Sequence, residues 1–260
     1  MIPASHTCPD YWALEYAGYL FAAHYSHKKT NWICIDQHAE SLSSSTSSQS
    51  YLYPTEVECG SISCSRTYGG YIQDKEMTCA VCRPNNDRFS TVYTHWGKNQ
   101  CKSSTRQLYS GFAAGGYYNH AGSGANTLCL PSEVTFAEHT GTSQDGALLY
   151  GYEYYTSGYG LTSSSYQQVH LKEVPCSVCE NINSFTSLTV YGKFRCPAGY
   201  NIDYHGYVFS SSNSDKKGQY VCVDNQAESY PNSQGSMWHH SMSTVYWESR
   251  NSVHTMYQAV

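Results

Sequence analysis

Tyr16-Ala17-Gly18-Tyr19 is one of three versions of a single tetrapeptide pattern, and the others are Tyr109-Ser110-Gly111-Phe112 and Tyr204-His205-Gly206-Tyr207. Each version begins eight residues after a cysteine, and these cysteines are 93 and 95 residues apart. A second cysteine follows the first after 26, 28 and 26 residues. Self-similarity at a fixed period is typical of repeat architectures. The sequence therefore predicts three tandem copies of one module.

The modules are predicted to be β-rich, with little helix. Short runs of β-branched and aromatic residues, such as Trp32–Ile35 and Tyr220–Val223, alternate with segments rich in Gly, Ser, Asn and Pro. These are strand lengths with strand composition. We therefore expect an all-β protein of Greek-key or sandwich type. Its modules span residues 1–83, 84–180 and 181–260, and the last lacks the closing cysteines of the other two.

Composition indicates a secreted, extracellular protein. The chain is rich in tyrosine, with 26, and its twelve cysteines are an even number at regular spacing, which is typical of disulfide frameworks in oxidising compartments. Since the sequence contains no signal peptide, we expect a mature chain. The net charge of −5 and the lack of a basic cluster argue against nucleic acid as a partner. No apolar run approaches the roughly 20 residues of a membrane span. A cytosolic zinc protein is the alternative.

The third copy holds two cysteines, so the simplest pairing is Cys196–Cys222. By position, the same scheme predicts Cys8–Cys34 and Cys101–Cys129. The remaining cysteines are then short-range candidates, as Cys59 with Cys64, Cys79 with Cys82 and Cys176 with Cys179. Other connectivities stay open, because sequence does not fix them.

Several motifs resemble a known family. Thr94-His95-Trp96-Gly97-Lys98, His120–Pro131 and Val174-Pro175-Cys176-Ser177-Val178-Cys179 resemble the non-collagenous repeat region of short-chain collagen-like secreted proteins of aquatic invertebrates, as do Val57–Cys64 and Thr78–Cys82. The likeness covers the whole chain, although the chain has no Gly-X-Y tract. The resemblance implies a secreted protein of matrix or mucus type and no particular mechanism.

The most divergent part of each repeat lies between its two core cysteines, and we predict the ligand-binding residues there. Copy one supplies His24, Tyr25 and His27, and copy two supplies Tyr117, Tyr118 and His120. A variable loop on a stapled scaffold is a usual way to display binding residues. Copy three lacks both His and Tyr in this segment, so copies one and two are expected to bind and copy three is not. Drift in an unconstrained loop is the alternative interpretation.

A second aromatic concentration is unique to copy two. Alternation along a strand would place Tyr152 and Tyr154 on one face, where an exposed row suits sugar stacking. The alternative is that this row forms one wall of a β core.

Histidine pairs are the candidate metal ligands. His24 with His27, and His239 with His240, have the donor type for Zn²⁺ or Cu²⁺. No cofactor is expected, and Zn²⁺ or Cu²⁺ is an open alternative, because a metal site needed for folding would recur in every copy.

The sequence matches no catalytic template, so we predict a protein that is not an enzyme. The expected function is extracellular binding of a lectin-like kind, with carbohydrate or extracellular matrix components as partners. A structural, adhesive tyrosine-rich matrix protein and a histidine-based metal-binding protein are the alternatives. A homo-oligomer is also open.

Overall fold

A computed structural model describes residues 1–40, 51–59, 62, 72–85, 89–137, 143, 145–156, 164–212, 214–216, 218–233, 241–249, 252–255 and 257–260. Its strands among these residues are β1 Ile2–Pro3, β2 Trp12–Ala22, β3 Ile33–Asp36, β4 Tyr53–Val57, β5 Thr78–Pro84, β6 Ser90–Trp96, β7 Arg106–Gly115, β8 Leu128–Pro131, β9 Ala147–Gly151, β10 Glu153–Tyr155, β11 Pro175–Ile182, β12 Val190–Tyr191, β13 His205–Ser210, β14 Val221–Asp224, β15 Ser241–Thr244, β16 Tyr246–Ser249, β17 Ser252–Thr255 and β18 Tyr257–Ala259. One short helix, α1, runs from Ser164 to Gln168.

Nearly all of these strands join one large sheet. Its main path runs in the order β1-β5-β2-β4-β9-β7-β11-β6-β14-β13-β15-β10, and β16 and β17 form a separate pair. The predicted all-β fold with little helix is therefore confirmed. Among the described residues, no helix has the length and apolar character needed to cross a lipid bilayer.

The same strand pairing occurs three times within the sheet. A central strand is paired on one side with the strand that carries the second cysteine, as β2 with β3, β7 with β8 and β13 with β14. On its other side it pairs with the strand that closes the repeat, as β2 with β5, β7 with β11 and β13 with β18. All three segments nevertheless belong to one sheet, so modules with the bounds 1–83, 84–180 and 181–260 stay a prediction.

The Tyr-x-Gly-aromatic pattern has one structural role in its three positions. A β-carbon on Gly111 would lie 1.6 Å from the carbonyl oxygen of Leu130, so the two strands can approach this closely only at glycine. The same clash, at 1.7 Å, would arise at Gly18 and Gly206. The tyrosine two residues earlier donates its hydroxyl to the carbonyl of the second cysteine, as Tyr16 to Cys34 (3.2 Å), Tyr109 to Cys129 (3.3 Å) and Tyr204 to Cys222 (3.0 Å).

The predicted disulfides Cys8–Cys34 and Cys101–Cys129 are wrong. The observed bonds are Cys8–Cys82, Cys34–Cys79, Cys101–Cys179 and Cys129–Cys176. Cys8 and Cys101, which precede the central strand of their repeat, each bond to the closing strand. Cys34 and Cys129, on the strand that carries the second cysteine, also each bond to the closing strand. Because Gly18 lets β3 lie close over β2, the Cα atom of Cys34 comes within 5.7 Å of that of Cys79.

The predicted short-range bonds within each C-x-x-C pair are also wrong. Cys79 and Cys82 lie on β5, and Cys176 and Cys179 lie on β11. Successive side chains of a strand point to opposite faces, so two residues separated by three positions face apart. The two cysteines of such a pair therefore reach different partners.

In the third repeat, Cys196 and Cys222 are thiols, so the predicted Cys196–Cys222 bond is wrong as well. In the other two repeats, the equivalents of Cys222 are Cys34 and Cys129, and each bonds to the cysteine that lies opposite the glycine of the Tyr-x-Gly-aromatic pattern. In the third repeat, the residue opposite that glycine is Gln258, which cannot form a disulfide. Cys59 is disulfide-bonded, and its predicted partner Cys64 lies outside the described residues.

The hydrophobic cores lie between the repeats. One core packs Leu20 of the first repeat with Phe112 of the second. A second packs Tyr154 of the second repeat with Phe209 and Met242 of the third, and a smaller third one packs Tyr93 of the second repeat with Tyr204 of the third. Since each core draws on two repeats, burial of apolar surface holds neighbouring repeats together.

Candidate functional site

The loops that follow the three central strands β2, β7 and β13 meet on one surface. The carbonyl of Tyr25 accepts a hydrogen bond from the backbone N–H of Gly122, and the carbonyl of Tyr118 accepts one from Lys216, both at 2.8 Å. The parallel pairing of β4 with β9 also joins the first two repeats beside these loops. We call the side chains gathered there the three-loop surface; its members are His24, Tyr25, His27, Lys29, Tyr53, Tyr117, Tyr118, His120, Tyr150, Asp215 and Lys216.

The first loop contributes two histidines whose rings are in contact. The ring centroid of His24 lies 5.1 Å from that of His27 and 5.0 Å from that of Tyr53. Ser26 donates to Nδ1 of His24 from its hydroxyl (2.7 Å) and from its backbone N–H (3.3 Å). Because Nδ1 accepts these bonds, the neutral imidazole carries its proton on Nε2, where it is a hydrogen-bond donor.

The second loop continues the same aromatic surface. The rings of Tyr25 and His120 have centroids 4.9 Å apart, and Tyr117 lies 4.9 Å from His120 and 5.1 Å from Tyr150. Tyr118 packs beside Tyr117 at 4.4 Å and is 38% exposed. Rings from two repeats thus form one continuous surface.

The first and third loops together supply the charged edge. Nζ of Lys29 lies 3.4 Å from the carbonyl oxygen of Lys216. Burial lowers the pKa of Lys29 to about 8, although the neighbouring carboxylate of Asp215 acts in the opposite direction. The first repeat therefore contributes a half-buried amine next to the aromatic surface, and the third repeat contributes a carboxylate beside it.

Burial favours the uncharged form of three aromatic groups here, Tyr117, Tyr150 and His120. Burial raises the pKa of Tyr117 to about 12, and it also raises the pKa of Tyr150. Burial and the charge of Lys29 lower the pKa of His120. Neutral phenols and imidazoles donate and accept hydrogen bonds while their ring faces stay apolar. Such a surface can stack on a ring and hydrogen bond to hydroxyls around it.

Six of the eight predicted ligand-binding residues, those of the loops of copies one and two, lie together on this surface. The other two, Tyr152 and Tyr154, are 3% and 0% exposed and belong to the core, so the structure removes them from the candidate site. Both sides of their strand are covered, and the core interpretation of this row is the correct one. Sequence reasoning missed Tyr53 and Lys29, for which no motif gave a signal.

The metal candidates are only partly described. His24 and His27 offer two rings, one of whose nitrogens is already bonded to Ser26. The second candidate pair, His239 and His240, lies outside the described residues.

Within the described ranges, the group of three possible ligands whose atoms lie within 4.8 Å of one another is Glu56, Glu58 and Asp74. The side-chain amide of Gln73 donates to both Glu58 and Asp74 at 2.6 Å. Burial and the neighbouring acids raise the pKa of Glu58. The hydrogen bonds from Gln73 account for the close approach of Glu58 and Asp74.

A buried histidine–aspartate pair, missed from the sequence, connects the second and third repeats. Nε2 of His95 on β6 lies 2.7 Å from Oδ2 of Asp224 on β14, and the imidazole stacks on Tyr204 at 4.1 Å. Burial raises the pKa of Asp224, but hydrogen bonds from His95 and from the N–H of Gln226 outweigh this and hold it below its usual value. Enclosed in this way, the pair stabilises the junction of the two strands.

No protein family model matches the sequence. No solved structure matches the fold.

Proposed function

We propose that the chain is a secreted, non-enzymatic extracellular protein that recognises glycans through the three-loop surface. The observation that carries this proposal is the convergence of the most divergent loop of each repeat on one place. Scaffold residues around these loops recur, whereas the loops differ, which is the pattern expected of binding loops on a rigid frame.

The chemistry of the surface suits a sugar. A pyranose ring has an apolar face that stacks on aromatic rings, and the tyrosine rings at this surface provide several such faces. The hydroxyls of Tyr117 and Tyr118 and the Nε2–H of His24 supply hydrogen bonds at its rim.

The disulfides support an extracellular location, because such bonds persist in oxidising compartments. The resemblance to secreted matrix proteins agrees with this location.

A glycan array followed by titration tests the proposal. We expect the wild type to bind at least one glycan, and the double variant His27→Ala/Tyr118→Ala to weaken that binding by about tenfold or more, since 1.4 kcal/mol corresponds to tenfold. Both side chains are exposed, so the variant should fold normally. The matched control is His6→Ala/Tyr200→Ala, the same chemical changes at exposed positions away from this surface.

Two results would count against the proposal. One is a wild-type protein that binds no glycan on the array. The other is a loop variant whose affinity equals that of the control. Acylation of Lys29 provides an independent readout, because a ligand seated on the three-loop surface should slow the reaction of its half-buried amine.

A further inference from the structure

A second concave site lies between the second repeat and the third. It is a cleft of about 430 Å³ bounded by β6, by β14 and by the segment that leads into β12. Tyr191 and Tyr220 line it, and Tyr204 and Trp96 contribute deeper surface. None of its residues belongs to the three-loop surface.

The cleft has no charged side chain among the fifteen described residues that line it. Burial raises the pKa of Tyr93 to about 12 and raises the pKa values of Tyr204 and Cys222, so their hydroxyls and thiol are neutral. An anionic ligand would lose hydration here without gaining a positive counter-charge, which is costly. The lining therefore favours an uncharged ligand over an anionic one.

Two side-chain amides in the lining are oriented by their own hydrogen bonds. Oε1 of Gln219 accepts from the backbone N–H of Thr127 at 3.0 Å, and Oδ1 of Asn126 accepts from that of Trp32 at 2.8 Å. With the oxygens engaged, the NH₂ group of each amide has no partner within the described part of the chain. Each amide can therefore donate to a ligand hydroxyl without losing an internal bond.

Aromatic rings complete the cleft. Tyr191 and Tyr220 are 53% and 57% exposed, and neither stacks on another ring of the described residues. Unstacked tyrosine faces beside amide donors are the combination that a sugar requires, because its ring faces are apolar and its edge carries hydroxyls.

We propose that this cleft is a second binding site, for an uncharged oligosaccharide. This inference shares the ligand class of the proposed function but depends on different residues. An experiment can therefore refute the cleft and leave the three-loop surface standing, or the reverse. Tyr220 and Tyr191 provide the stacking surfaces, and Gln219 and Asn126 provide the donors.

Calorimetric titration with four uncharged hexasaccharides (cellohexaose, maltohexaose, mannohexaose and acetylated chitohexaose) tests the site, with a heparin hexasaccharide as the anionic comparison. We expect at least one uncharged probe to bind and heparin to bind more weakly. Tyr220→Ala should reduce affinity for the bound probe by about tenfold. Gln219→Glu keeps the oxygen that Thr127 needs but removes the donor, and it should reduce affinity as well. The control is Tyr200→Ala, an exposed tyrosine outside the cleft.

The proposal is overturned if none of the four uncharged probes binds, if heparin binds more tightly than all of them, or if Tyr220→Ala and Gln219→Glu both match the Tyr200→Ala control. Loss of binding in His27→Ala/Tyr118→Ala with no effect of the cleft variants would place the only sugar site on the three-loop surface. The reverse pattern would support the cleft and refute the three-loop surface.

Discussion

Replacing Gln258 with cysteine should create a disulfide with Cys222. The backbone register places Gln258 opposite Gly206, just as Cys176 lies opposite Gly111. In the second repeat, the counterpart of Cys222 bonds to Cys176, with Cα atoms 5.8 Å apart. The same register in the third repeat brings the new cysteine within the 4.4–6.8 Å that disulfides usually span.

The expected stabilisation follows from the length of chain that the new bond closes. Residues 222 and 258 enclose a loop of about 36 residues, and the chain-entropy model gives about 3.8 kcal/mol for a loop of this length. For a chain of this size each kcal/mol raises the melting temperature by about 2–4 °C, so Gln258→Cys should raise it by about 10 °C. Reductant should abolish the gain.

The bond is assayed by peptide mapping without reduction and by thermal unfolding with and without reductant. Gln258→Ser tests whether loss of the glutamine alone matters, and Gln258→Cys/Cys222→Ser tests whether the partner is Cys222. If Gln258→Cys oxidises instead to Cys196, or stays a thiol under conditions that oxidise the other bridges, the inferred equivalence of the three repeats is wrong.

Three further outcomes are expected. Gly111→Ala should cost at least about 3 kcal/mol of unfolding free energy in denaturant titrations, because its β-carbon would meet the carbonyl of Leu130 at 1.6 Å and the strands must separate. The stability that Asp224 gains from His95 is complete above the unfolded-state pKa of about 3.9 and is lost as the pH falls through its lowered folded-state pKa, so Asp224→Asn should flatten the acid limb of stability against pH. Lys29, with its pKa of about 8, should acylate faster at pH 8 than the exposed lysines, as followed by peptide mass spectrometry.

Each of these outcomes has a matched control. A β-carbon on Gly199 meets nothing within 4 Å, so Gly199→Ala should cost only the strain of its positive φ, about 1 kcal/mol. Asp10→Asn changes an exposed carboxylate and should leave the acid limb unchanged. Exposed Lys216 is the reference amine, and acylation of Lys216 ahead of Lys29 would contradict the effect of burial.

The sequence predicted the β fold and the recurring motif because both depend on local pattern. Strand composition and the spacing of Gly18, Gly111 and Gly206 are visible in the residues themselves. Disulfide pairing was not predictable in the same way, because it depends on which strands become neighbours. The partners Cys8 and Cys82 are 74 residues apart, and the sheet brings them together.

The candidate site was predictable residue by residue but not as an assembly. Tyr25 and His120 were identified from loop divergence, yet their ring contact at 4.9 Å is made beside the parallel pairing of β4 with β9, which no local pattern encodes. The wrong assignment of Tyr152 and Tyr154 has a related cause. Alternation shows which side chains share a face, but it does not show what covers that face.

The convergence of the loops gives a physical reason for their divergence. Each core is shared between two repeats, so each loop is held against the next and cannot vary independently of it. Under that constraint, three identical histidine-rich loops would place histidine side chains against one another. Loops of different composition can instead bring different kinds of side chain into contact. The first repeat contributes His24 and His27, the second contributes tyrosine rings, and the third contributes Asp215 beside Lys29. On the proposed function, the loss of histidine and tyrosine from the third loop is a division of roles within one surface, and drift in an unconstrained loop is the alternative interpretation.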